Sequence, residues 1–295
     1  MQVHEAGALS RWAKRWAPGL SRLATAGLVR PVTGFTETYL AILQGKGSGT
    51  GWDLAGEARA AATFLRDVPA PVVLDLGANR GQWATALPRT LRNDLARYYL
   101  CEPQPACQRE LATLAVPRAA VIAAAVSDRP GQATIMASAP GAGSASLFER
   151  RDSYFGDTTA HREVVPVTTI DDIVAEHRLD RVHLLKLDVE GSELSALRGA
   201  RSSLADGRIA TVTFEFGSAN VYSRTFFRDL WDLLTAAEFR LWRILPGGRL
   251  LPIARYVEEL EHFRGVSNYV AAPRIPHRLR GDPHPGRARL SRPGR

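Results

Sequence analysis

The sequence contains no run of roughly eighteen or more apolar residues, so no segment has the length and apolarity of a membrane-spanning helix. It has only two cysteines, Cys101 and Cys107, at no metal-ligand spacing. That excludes a disulfide scaffold and sets a reducing, cytoplasmic compartment as the expectation. The opening MQVHEAGALSRWAKRW lacks the apolar centre of a secretory signal. The phosphate-loop spacing GxxxxGK[ST] is missing too. The run GKGSGTG at 45–51 resembles such a loop in composition alone, which excludes ATP binding there.

Net charge is +8, yet the chain lacks a basic body. Residues 273–295 hold seven Arg and one Asp, which is +6. Residues 1–30 hold four Arg, one Lys and one Glu, which leaves +4 there. By subtraction residues 31–272 carry −2 (8 − 6 − 4). A basic nucleic-acid groove is therefore not indicated, and no nucleic-acid partner is expected. With 295 residues, 45% of them hydrophobic, one large α/β domain with extensions is within reach.

Residues 8–17 suit a short helix, with Leu9, Trp12 and Trp16 on one face and Arg11, Lys14 and Arg15 around it. Two readings stay open: a helix packed on the main domain, or a helix for a partner or membrane surface. From Pro71 the pattern becomes regular. PVVLDLGA, YYLCEP, AAVIAAAV, GQATIMAS, REVVPVTTI, VHLLKLDV, ATVTFEFG, RLWRIL and SNYVAA read as strands. QWATALPRTLR, SELSALRGARSSL and TFFRDLWDLLTAAEF read as helices. Their alternation predicts a doubly wound, mostly parallel sheet covered on both faces. The expected organisation is an N-terminal helical extension (1–70), a catalytic domain (71–272) and a disordered basic tail (273–295).

The first chemical motif runs from Asp75 through Leu76, Gly77, Ala78, Asn79 and Arg80 to Gly81, where a strand should turn into a helix. Glycines there let backbone approach a ligand, and the helix start supplies N–H groups. A dinucleotide fingerprint starting at Gly77 needs glycines at 79 and 82, where Asn79 and Gln82 stand. DxGxxxG suits a cofactor with an amino-acid tail, its ammonium oriented by Asp75 and its carboxylate near Gly77, Ala78 and Asn79. Glu102 ends the second strand 21 residues after Gly81, where a carboxylate can accept from both ribose hydroxyls. Ser127 and Asp128 follow the third apolar run; Asp128 reads equally as an adenine contact or as an Asx turn before Pro130-Gly131. Asp188 and Glu190 follow a strand in KLDVEGSE, and Glu215 sits at the matching place in TFEFG. Glu190 and Glu193 also suit a helix N-terminus on purely structural grounds.

The blocks VVLDLGANRGQWA, CEPQPACQREL, AAVSDRPG, SASL, VPVTTIDDI, LLKLDVEGSELSALRGA and FEFG occur in the order seen in FkbM-type methyltransferases, and residues 71–272 resemble that family. The resemblance implies a class I Rossmann-like methyltransferase fold, with a seven-stranded sheet whose last strand is antiparallel. It implies S-adenosylmethionine as cofactor and O-methylation of a hydroxyl on a sugar, glycolipid or polyketide-type product. It maps Asp75, Gly77, Asn79, Gly81, Glu102 and Asp128 onto cofactor positions, and Asp188 and Glu190 onto an acidic pair. Relatives commonly read SSL where this chain has Ser144-Ala145-Ser146-Leu147, which leaves the role of Ser146 open.

Methyl transfer to an alcohol benefits from a general base. Asp188 stands first, then Glu190, then Glu215, with His161 as an outside candidate. These carboxylates alone do not establish a metal site. DVEG replaces the Asn/Asp-Pro-Pro-aromatic run of nitrogen methylators, which favours oxygen as the atom methylated. The expected partner is a small-molecule or glycan acceptor, with peripheral membrane contact left open. The competing readings are a non-catalytic cofactor-binding partner protein and, lower, a nicotinamide-dependent oxidoreductase.

Overall fold

The structure is a computed structural model and describes residues 12–19, 21, 29–47, 49, 51, 53–151 and 160–273. The tail from 274 and the first residues of the helix expected at 8–17 lie outside the described residues, as do residues 152–159 of the polar loop. Helix α1 covers 12–19, α2 Arg30–Leu43 and α3 Leu54–Ala62. Asp53 caps α3 by accepting from Gly56 N at 3.0 Å.

The central sheet begins with β1 (Val72–Leu76), buried at every position. It continues through α4 (Gln82–Leu91), β2 (Arg97–Cys101), α5 (Pro105–Leu111) and β3 (Ala119–Ile122). A smaller sheet follows: β4 (Ala125–Val126), β5 (Gly131–Ala137) and β6 (His161–Thr168), in the order β4-β6-β5. The chain then returns through α6 (Ile170–Glu176), β7 (Leu184–Leu187), α7 (Glu193–Arg198), α8 (Arg201–Ala205) and β8 (Val212–Gly217). It closes with α9 (Ser218–Ser223), α10 (Phe227–Ala236), β9 (Arg240–Leu245), β10 (Arg249–Ile253) and β11 (Val266–Ala272).

The main sheet runs β10-β9-β11-β8-β7-β1-β2-β3. Parallel pairs join β3, β2, β1, β7 and β8, while β11 is antiparallel to both β8 and β9. The sheet thus has eight strands rather than the seven expected. The added one is β10, an antiparallel edge strand on β9 in which Pro252 stands opposite Trp242. An edge strand tolerates a proline because its outer side needs no N–H, and Pro252 is what disguises RLLPI as a loop in the sequence.

Two more expectations need correcting. AAVIAAAV is not one strand: β3 joins the main sheet and β4 the small one. SELSALRGARSSL is not one helix but α7 and α8, broken around Gly199. A Cβ on Gly199 would meet the Ser127 carbonyl oxygen at 2.2 Å, so close packing at that point requires glycine.

The successive side chains of β1 serve opposite faces, as the pleat demands. Leu74 and Leu76 join Leu185, Leu187, Leu197 and Phe214 in the larger core. Val73 joins Leu184, Trp83, Leu87 and Leu65 beneath α4 and α3. Ala58, Ala60, Ala61 and Ala62 of α3 are completely buried, so this helix of the N-terminal region is part of the core. Among the described residues no helix is long and apolar enough to cross a membrane.

Candidate active site

The strand order reverses at β1, between β7 and β2, which opens a crevice at the carboxyl ends of these strands. A cavity lies there, lined by Gly77, Asn79, Glu102, Gln104, Ala124–Val126, Ile135, Gly143, Ala145–Leu147, Asp188–Glu190 and Ser192. Gly77 holds φ +80°, and a Cβ on it would meet the Asp188 carbonyl oxygen at 1.8 Å. Glycine is therefore needed where the β1 turn passes the end of β7. The N–H groups of Gly77 and Ala78 both bond the Cys101 carbonyl, at 2.9 and 3.0 Å. They brace the turn rather than stand free for a ligand, in contrast to the expectation from the sequence. Gly81, also left-handed at φ +78°, lies outside the cavity, where a Cβ would strike Leu114.

Glu102 is 2% exposed and held from both sides. Its Oε2 accepts from Asn79 N and its Oε1 from Gln104 N, each at 2.8 Å. Burial raises its pKa, and the two backbone donors oppose that rise. Each oxygen keeps a second lone pair for a ligand hydroxyl. Gln104, which the sequence reading passed over, ties the facing loop: Gly141 N donates to its Oε1 at 2.9 Å and its Nε2 donates to Ala142 O at 3.1 Å.

Asp75 is completely buried and does not line this cavity. Its partner is Lys186 Nζ, 3.2 Å from Oδ1. Burial raises the pKa of Asp75, and Lys186 opposes the rise. The same ammonium lies 2.9 Å from Asp188 Oδ2 and 5.4 Å from the centre of the Trp83 ring. Asp75 thus reaches the cavity only through Lys186 and Asp188.

Glu190 sits at φ +49° in the turn that follows β7. Its Oε2 is 2.6 Å from Nη1 of Arg150, a completely buried guanidinium that sequence reasoning missed. Burial pushes the Glu190 carboxyl up to about 7; the charge of Asp188 adds to this and Arg150 opposes it. Ser146 acquires a definite place: its hydroxyl donates to the Glu190 carbonyl at 2.6 Å and accepts from Phe148 N at 3.1 Å. Glu193 accepts from Val189 N, from Gly191 N and from Asn220 Nδ2, so it fastens the Asp188–Gly191 turn from behind.

Glu215, on β8, lies in an adjoining small cavity with Glu57, Trp83, Lys186, Thr213 and Asn268. Burial raises its pKa well above the ordinary carboxylate value, and Asp188, Glu190 and Glu57 reinforce the rise. Glu57 of α3, another residue missed in the sequence, is pushed up to about 8, chiefly by burial. The structure does not bring Ser127 and Asp128 to the Glu102 cavity; Asp128 lines a separate groove with Leu197 and Arg201. His161 opens β6, 3.6 Å from Glu163, and lines neither of the two cavities at the end of β1.

An open α/β sheet with its crevice at this switch point, and a carboxylate anchored at the end of the second strand, is an arrangement that takes a nucleotide-type ligand across the carboxyl ends of the strands. Residues 75–241 match the Methyltransferase FkbM domain, and the chain belongs to that family of S-adenosylmethionine-dependent methyltransferases. No curated protein matches it. Among solved structures, methyltransferase FkbM from Methylobacillus flagellatus KT is similar over 69% of this chain, with 17% identity and a TM-score of 0.43. This chain spans 44% of that one's length. The plantazolicin methyltransferase BpumL in complex with SAH is similar at 10% identity, over 85% of this chain and 92% of that one, with a TM-score of 0.38. Fibrillarin of Aeropyrum pernix with natively bound S-adenosyl-L-methionine is similar at 14% identity, over 74% and 76% of the two chains, with a TM-score of 0.38.

Proposed function

We propose that this protein is an O-methyltransferase that acts on a hydroxyl of a sugar, glycolipid or polyketide-type acceptor. The observation that carries the reading is the meeting of Asp188 and Glu190 at the end of β7, in the same cavity as Gly77, Asn79 and Glu102. That cavity suits S-adenosylmethionine. Glu102 would accept from the two ribose hydroxyls, and the backbone around Gly77 and Asn79 would follow the amino-acid tail. Ala124, Val126, Ile135 and Leu147 supply apolar wall for a flat base. When bound, the cofactor supplies a methyl group already activated on a sulfonium.

What remains for the protein is to align the acceptor and remove its proton. A carboxyl that titrates near 7 is matched to accepting a proton at neutral pH, which moves Glu190 ahead of Asp188 as base. Asp188, fixed through Oδ2 by Lys186, orients the acceptor hydroxyl. Glu215, whose burial raises its pKa, lines the adjoining cavity together with Lys186, the ion-pair partner of Asp188. Incubation with methyl-labelled cofactor and a panel of alcohols and amines tests this, with the product located by mass spectrometry. Transfer to oxygen is expected. Transfer to nitrogen, or tight cofactor binding with no transfer to any acceptor, overturns the reading; the latter would favour a non-catalytic partner protein.

A further inference from the structure

Helix α2 presents its apolar side outward. Val32, Phe35, Tyr39 and Leu43 recur at the spacing of one helical face, and all four are exposed, Phe35 to 72%. Phe35 and Tyr39 stack on each other with ring centres 6.2 Å apart. No residue of α2 is buried. The helix is attached by another side: Arg264 pairs with Glu37 and donates from Nη2 to Thr38 Oγ1 at 2.6 Å. The chain after α2 is then tied to the body by backbone bonds, Gly47 N to Phe263 O and Gly49 N to Val266 O, each 3.0 Å. A surface helix of a globular domain normally turns such a stripe to the core. Here a polar anchor holds it facing solvent, as an apolar patch of the kind that marks an interaction surface.

The charge of the segment that leads into the stripe selects what it meets. Helix α1 carries Trp12 and Trp16 four residues apart, exposed, with Lys14 and Arg15 between them. Arg30 opens α2, and the one acid of α2, Glu37, is taken by Arg264. Residues 1–30 carry a net +4, while 31–272 carry −2. A second copy of this chain would bring the same net-positive N-terminal segment toward its own like charge. Aromatic and aliphatic side chains beside Lys and Arg match the boundary of an anionic bilayer, with the rings at headgroup depth and the cations among lipid phosphates.

We propose that α2, assisted by α1, docks this protein on an anionic membrane surface. The stripe lies on the near side of a short connection, residues 44–49, that ends beside the small cavity adjoining the site: a Cβ on Gly49 would lie 3.1 Å from Asn268 Oδ1, and Asn268 lines that cavity with Glu215. Docking therefore acts on a segment adjoining the site without using any residue of it.

Co-sedimentation of the full chain with two kinds of vesicle tests the proposal. One kind is phosphatidylcholine alone; the other contains about one-third phosphatidylglycerol. Binding is expected to the anionic vesicles only and to weaken as salt is raised. The double variant F35S/Y39S should bind them about tenfold more weakly or worse, with melting temperature and cofactor affinity unchanged. Two results overturn the proposal: no binding to anionic vesicles, or binding that F35S/Y39S leaves intact. A third does as well. If F35S/Y39S instead dissolves a dimer present without lipid, the face belongs to a second copy.

Discussion

Lys186 Nζ lies between two carboxylates, 2.9 Å from Asp188 Oδ2 and 3.2 Å from Asp75 Oδ1, and so joins the buried side of β1 to the cavity. Asp75 and Lys186 are register partners on adjacent parallel strands, which sets their side chains on one face. Removing the cation leaves Asp75 buried and unpaired. K186M is expected to destabilise the fold by about 3–5 kcal/mol, the range for breaking a buried pair. K186M/D75N, which also removes the stranded charge, should recover much of that loss. Chemical denaturation of both variants checks this. A K186M protein as stable as wild type would show that the pair does not support the fold.

Glu102 is the proposed cofactor anchor, and it can be tested without touching the reaction. E102A removes the acceptor for the ribose hydroxyls and also frees the Asn79 and Gln104 N–H groups. Charge-assisted bonds are worth roughly 1.5–3 kcal/mol each, so S-adenosylhomocysteine affinity should fall at least about tenfold. E102Q keeps an acceptor and should lose less. Calorimetry on folded variants measures both. Unchanged affinity in E102A rejects the assignment.

How much of this was legible in the sequence depends on whether the interaction is local. The GANRG turn could be read because Gly77 lies where strand meets helix, and the structure gives the reason in the Asp188 carbonyl that a Cβ would strike. Glu102 could be read from its spacing to that turn. Lys186 could not, because its partner Asp75 is distant in sequence and a lysine in an apolar strand carries no sign of what it faces. Arg150 was hidden likewise, in FERR, since only the fold brings it to Glu190. Ser127 and Asp128 are read from their place after the third apolar run, where Asp128 suits an adenine contact or an Asx turn equally. Packing of the Ser127 carbonyl on Gly199 puts them beyond the cavity that the preceding residues, Ala124–Val126, do reach.

Glu57 makes stability depend on pH. Its folded pKa is about 8, against an ordinary value of 4.5. Between those values the folded protein holds a proton that the unfolded chain has lost. Stability is therefore fully present below 4.5 and declines as pH rises through about 8. E57Q abolishes this titration. Its melting temperature should track wild type near about pH 4 and exceed it near about pH 9. Equal melting temperatures for E57Q and wild type at both ends would remove Glu57 from the balance.

As the proposed base, Glu190 would make activity depend on pH in the opposite sense. A base must be deprotonated, so kcat/KM should rise with pH through a limb at about 7 and then level. E190Q should lower kcat and remove the limb. R150M takes away the guanidinium that opposes the upward shift, so where that variant folds the limb should move to higher pH. A limb that persists unchanged in E190Q would assign it to another group.

Asp188 decides between three roles, and its surroundings sharpen the test. D188N keeps the shape but weakens the contact with Lys186, which retains Asp75 as its ion-pair partner. If Asp188 orients the acceptor hydroxyl, single-turnover rate should fall by about 10²–10⁴ while melting temperature and cofactor affinity stay close to wild type, and the Glu190 limb should persist but move to lower pH, because the Asp188 charge that helps raise it is gone. If Asp188 is itself the base, the limb should vanish together with the rate. If it only braces the β7 turn through Lys186, stability should drop, by roughly the 0.5–2 kcal/mol of a lost cap-like contact, with turnover nearly normal in the surviving fold. Melting temperature, cofactor titration and a pH series of single-turnover rates on this one variant separate these outcomes. A normal rate at every pH would take Asp188 out of the reaction altogether and leave Glu190 to act without it.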